Sequence, residues 1–245
     1  LGTIRPIPAA IAAVGVVILT LVGYGVWNSG SISDDRPGEV PAAESPAGFT
    51  FFDVGVNTQI DDALRRDLQG QLGSDAIGYR LPITLEFNYK GFLADHFPEI
   101  DRLNRALNAP FGERKEHDTL VLMYRRAHKM ETPFDYVELV FSNHTKRPLL
   151  FRIEPAGVGP AILDTLIEKY GPPRTIQWGD DDAKTLWWED HTDLLFASVS
   201  PNRFGTPVYR FRIVFTRNIE TMLKREIAEQ QDREQQRRKA GEKAF

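Results

Sequence analysis

The pattern of apolar and polar positions changes character several times along this chain. Residues 8–27 are an uncharged, mostly apolar run. A helix of that length reaches about 30 Å, enough to cross the hydrocarbon of a bilayer. Tyr24 and Trp27 stand at its far end, where amphipathic rings favour the headgroup region. The expectation is a single transmembrane helix within residues 1–27. Residues 28–48 are rich in Gly, Pro, Ser and Ala and almost free of large apolar side chains, the composition of a flexible linker.

Beyond the linker the periods become those of a folded domain. Ile60, Leu64, Leu68 and Leu72 recur every fourth position, one face of a helix. Thr58 and Asp61 resemble a capping box, and Gly73 suits a left-handed stop. Leu81, Ile83, Leu85, Phe87 and Tyr89 then alternate with Pro82, Thr84, Glu86 and Asn88, which predicts a half-buried strand with Pro82 at a sheet edge. A helix is expected over 98–108, and strands near 119–125, 135–142 and 148–153. Gly159 and Pro160 open another helix carrying Ile162, Leu163, Leu166 and Tyr170, closed by Gly171. Strands are expected near 174–178, 184–189, 193–200 and 208–216. Ile219, Met222, Leu223 and Ile227 form a docking stripe, after which the chain is polar on every side.

Leu103, Leu107, Phe111 and Gly112 precede Ile162, Leu166, Tyr170 and Gly171 by 59 residues. Phe151, Arg152 and Ile153 precede Phe211, Arg212 and Ile213 by 60. Nearly constant offsets at both ends point to duplicated supersecondary units, with chance matching of amphipathic segments as the competing explanation. The expected fold class is α+β. It comprises an N-terminal transmembrane helix, a linker, two similar helix-plus-antiparallel-sheet units over 49–157 and 158–219, and a polar C-terminal helix or tail over 220–245.

In the second unit a helix ends in Tyr170, Gly171 and Pro173, a short strand follows, and the next strand carries Trp187 and Trp188. This resembles the small helix-plus-meander modules of bacterial envelope proteins, loosely the BamE/SmpA-like lipoprotein modules, and more faintly so over residues 98–153. The resemblance implies a binding or assembly role in the envelope rather than catalysis, and it transfers no functional residue. The chain departs from that family in having no lipobox cysteine.

Charge and composition narrow the function. A net charge of −4 is not the basic balance that displaces phosphate counterions, so nucleic acid is not an expected partner. Zero cysteines exclude disulfides, thiolate metal sites and thiol nucleophiles. Arg5 precedes the apolar run, while Asp34, Asp35, Arg36, Glu39 and Glu44 follow it with a net charge of −3. Positive-inside bias then puts the N-terminus in the cytoplasm and the domain in the periplasm, on a single-pass inner-membrane anchor.

No catalytic, metal or cofactor motif stands out. Glu189, Asp190, His191 and Asp193 are the densest set of titratable groups, and a hairpin turn explains them without chemistry. Gly179, Asp180, Asp181 and Asp182 lack the alternate spacing of a calcium loop. Adjacent strand residues face opposite sides, so one of Trp187 and Trp188 belongs to the core and the other is a candidate interface anchor, unless both are covered. Arg152, Arg210 and Arg212 form a candidate cationic stripe on a sheet face, or are simply solvated. The expected function is that of an accessory, scaffold or assembly subunit of an envelope or membrane protein complex, with protein partners and no cofactor or small-molecule ligand. The alternatives are a membrane-tethered periplasmic hydrolase working from the Glu189–His191 neighbourhood, and a ligand-binding sensor.

Overall fold

The computed structural model describes residues 48–108, 115–179 and 183–244. Helix α1, Asp62–Leu72, starts where the Asp61 carboxylate accepts the Leu64 N–H at 2.8 Å. The Thr58 hydroxyl instead accepts from the Gly55 N–H, so the cap is Asp61 alone. Gly73, with φ 85°, donates its N–H to the Gln69 carbonyl and ends the helix in the left-handed region that favours glycine. Strand β1, Ala76–Tyr79, follows directly. Helices α2 (Phe92–His96) and α3 (Pro98–Leu107) precede β2 (Thr119–Tyr124), β3 (Phe134–Ser142) and β4 (Pro148–Pro155). Helix α4 (Gly159–Tyr170) then leads into β5 (Arg174–Gln177), β6 (Lys184–Asp190), β7 (Asp193–Pro201) and β8 (Pro207–Val214), and α5 (Thr216–Ala244) closes the chain.

All eight strands belong to one antiparallel sheet, in the order β1-β2-β3-β4-β8-β7-β6-β5. This corrects the expectation of two separate helix-plus-sheet units. Each meander ends in a strand, β4 or β8, whose outer backbone groups would be left open. Pairing the two satisfies those groups, aligning Leu150 with Val214, Phe151 with Ile213, Arg152 with Arg212 and Ile153 with Phe211. The transmembrane part of the expected fold class is also not supported: among the described residues no helix is long and apolar enough to cross a membrane. The run 8–27, the linker up to residue 47, Phe111 and Gly112, and Asp180–Asp182 lie outside the described residues.

The sheet buries both faces. On one lie α1 and α4, with Leu68, Leu72 and Phe49 against Phe141, Phe151, Leu195 and Phe211. Gly159 seats the start of α4 directly on an aromatic ring, since a Cβ there would stand 2.2 Å from Tyr209 Cγ. The other face is covered by α2, α3, the first turns of α5 and residues 81–87, which bring Phe92, Leu103, Ile219 and Met222 onto Val140, Leu150 and Phe196. Residues 81–87 do not form the expected strand. Ile83, Leu85 and Phe87 are buried as the alternation requires, yet their backbone crosses the sheet face without joining a ladder. Period-two burial needs only an extended chain on an apolar surface. In α5, Ile219, Met222 and Leu223 dock, whereas Ile227 is 55% exposed and marks where the helix leaves the domain.

Candidate functional site

The expected arginine stripe separates into two roles. Arg152 and Arg212 are direct cross-strand neighbours on the face that residues 81–87 cover, a like-charge pairing that is unfavourable by itself. Glu138, next to Arg152 on β3, forms an ion pair with it and also accepts from the Tyr136 hydroxyl at 2.7 Å. Arg152 donates to the Thr84 carbonyl at 2.8 Å, and Arg212 donates to the Glu86 carbonyl at 3.1 Å. The Arg212 guanidinium also lies 5.0 Å from the Phe87 ring centroid. Burial first, and Arg152 second, lower its pKa to about 10. These two side chains fasten the extended segment to the sheet by supplying the donors that a neighbouring strand would supply. Arg210 remains exposed.

The tryptophans take opposite faces. Trp188 is 6% exposed in the α1/α4 core, and its indole N–H donates to the Gly171 carbonyl at 2.7 Å. Trp187 is half-buried on the other face, edge-on to Phe97 at 5.0 Å and under the Arg174 guanidinium at 4.8 Å. It lines an open depression of about 340 Å³ together with Leu103, Leu194 and Glu220.

The carboxylates around His191 do not converge. Glu189 faces Arg174 at 3.8 Å, and His191 is exposed at the β6–β7 turn with φ 55°. Asp193 turns inward, where Oδ1 accepts the Thr216 N–H at 2.9 Å and caps α5. Among the described residues no group of His, Asp and Glu is arranged to hold a metal ion.

Burial raises the Asp193 carboxyl to about 6, against the bond from Thr216, which lowers it. Between its ordinary value of 3.8 and about 6, the folded state holds a proton that the unfolded chain has released. The stability contributed by Asp193 is therefore complete below that range and lost as pH rises through it. Asp193→Asn keeps the acceptor but has no proton to lose. Urea midpoints measured from about pH 4 to 7 should show a downward contribution in the parent that is missing in the variant. Parallel profiles would refute this.

Sequence reasoning passed over β1, the sheet edge. Its signal was short: Ile77 and Tyr79 alternating with Ala76 and Gly78, between Gly73 and Pro82. The Arg80 N–H donates to the Thr119 carbonyl at 3.2 Å. Bonded positions alternate in an antiparallel ladder, so Gly78 and Ala76 also face β2. The N–H and C=O of Ile77 and Tyr79 point away from it, and among the described residues nothing bonds them. The two residues are 38% and 60% exposed. At the opposite edge the Trp178 N–H bonds the Ala183 carbonyl, so on β5 the outward positions are Thr175 and Gln177, both polar and exposed. Polar side chains blunt one edge, while the other is apolar and open. No family model, curated protein or solved structure matches the chain.

Proposed function

We propose that the protein is a non-enzymatic recognition subunit, an accessory or scaffold component of an envelope protein complex, that binds its partner by accepting a strand at β1. The observation that carries this reading is the open edge itself, with two unbonded backbone positions whose side chains, Ile77 and Tyr79, are apolar and exposed. Such an edge gives affinity through main-chain bonds and selectivity through alternate side chains. The splayed carboxylates around His191 favour this over a hydrolase. The resemblance of the second half to envelope assembly modules points the same way.

A photo-reactive aromatic residue placed at Tyr79, and separately at Gln177, tests the proposal in native membranes. The expected result is a defined adduct from position 79 and none from 177. Equal labelling from both edges, or none from either, would overturn it.

A further inference from the structure

Resting on that reading, we infer that the segment received by β1 is an extended, antiparallel stretch with two alternating apolar residues followed by acidic ones. The direction comes from the sheet, in which every ladder is antiparallel. An incoming strand exchanges main-chain bonds with Ile77 and Tyr79, and residues directly opposite one another share a face. Partner side chains at those two positions therefore lie beside Ile77 and Tyr79, on the α1 face of the sheet, and need to be apolar.

The charge requirement comes from what lies at the end of the strand. Ala76 pairs with Met123, so the turn after β2 projects beyond the start of β1. That turn carries Arg125, Arg126 and Lys129, all exposed, with Glu131 as its acidic residue. Among the described residues no ion pair engages those three cations. They border a depression of about 480 Å³ that also holds Asp75, whose carboxylate is already taken by Arg65 at 2.8 Å, and whose apolar wall includes Met123 and Met130, the latter 46% exposed. An antiparallel strand runs toward this end with its C-terminal residues. Acidic side chains after the second apolar residue would meet the three cations there, and charge-assisted bonds favour that placement.

The same charges argue against a second copy as the occupant. Two β1 strands paired antiparallel about a dyad would set the Arg125–Lys129 turn of one chain beside Arg80 of the other, cation against cation. The β5 edge lacks both the apolar pair and a turn of this kind.

The experiment titrates the full chain with two fluorescent peptides, acetyl-Thr-Val-Thr-Val-Asp-Glu-amide and its Lys-Lys counterpart, by anisotropy at low and moderate salt. The acidic peptide should bind at least about tenfold more tightly, with the gap narrowing as salt rises. Arg125→Glu with Arg126→Glu should reverse the preference. These are exposed turn positions, and an unchanged thermal midpoint would verify that the double variant folds. Ile77→Thr should weaken both peptides alike. Equal binding of the two peptides, or binding of neither, would overturn the acidic-partner inference. A cross-link from Tyr79 would still leave the recognition reading standing, so the two failures are separable. Light scattering that showed an Ile77-dependent dimer would also overturn it, in favour of self-pairing.

Discussion

Trp188→Ala is expected to cost about 3–5 kcal/mol of folding stability, against about 1–2 kcal/mol for Trp187→Ala one residue earlier. The difference arises from the pleat of β6. Trp188 points into the α1/α4 core, where truncation leaves an apolar void and removes the bond that ties β6 to Gly171 at the end of α4. Trp187 lies half-buried beside an open depression, so water and the Arg174 side chain can fill the space it leaves. Urea unfolding at unchanged slope measures both variants. Trp188→Phe separates the contributions, because it keeps most of the ring and loses the indole donor, worth about 1 kcal/mol. Similar costs at 187 and 188 would mean that the two rings are not distributed between the faces as described.

Glu138→Gln is the second large effect. Arg152 and Arg212 face each other across the β4–β8 pair, and Glu138 is the carboxylate that compensates them. Its removal leaves the two cations with backbone carbonyls, the Phe87 ring and the weaker influence of the exposed Glu154, and breaking a buried pair in this way costs about 3–5 kcal/mol. The value should fall toward the lower end, since Arg152 retains partial exposure. The informative variant is the double one, Glu138→Gln with Arg152→Met, which removes the repulsion along with its compensation. It should recover more than half of the loss. If the double variant is as unstable as the single one, the cost lies in packing rather than in charge. Both variants should also loosen residues 81–87, because their anchoring donors come from these arginines. Hydrogen exchange at the Leu85 amide, bonded at 2.8 Å to the Asn104 side chain, reports on that segment.

Much of the local structure was legible because it depends on neighbours in sequence. Every-fourth-residue apolar spacing marked α1, the stop at Gly171 marked the end of α4, and strands were expected near the positions of β2 to β8. The expected strand at 81–89 shows the limit of such reading. Alternation reports which side chains are buried, but says nothing of where the backbone N–H and C=O groups bond. In that segment the pattern is real and the ladder is absent. The short strand β1 went unread for the opposite reason, since four residues are too few to establish a period.

Of the candidate interface residues, sequence could name Trp187, Trp188, Arg152, Arg210 and Arg212 but could not assign their partners. Two arginines at matching places in the two meanders look like a solvated stripe until Glu138, Thr84 and Glu86 are seen to take them. Those partners lie 14, 68 and 126 residues away along the chain. The open edge is likewise a property of the assembled sheet, because an edge exists only once the other strands have found their order.

By itself, the amino-acid order determined the periods of burial, the helix stops, the absence of cysteine and a net charge of −4. Tertiary structure alone decided that two meanders share one sheet, which tryptophan faces which core, and that, among the described residues, nothing bonds the backbone of Ile77 and Tyr79 at the outer edge of β1. The reason is physical. Periodicity and turn chemistry act over a few residues, whereas strand order, edge exposure and compensation of buried charge depend on groups brought together from distant parts of the chain.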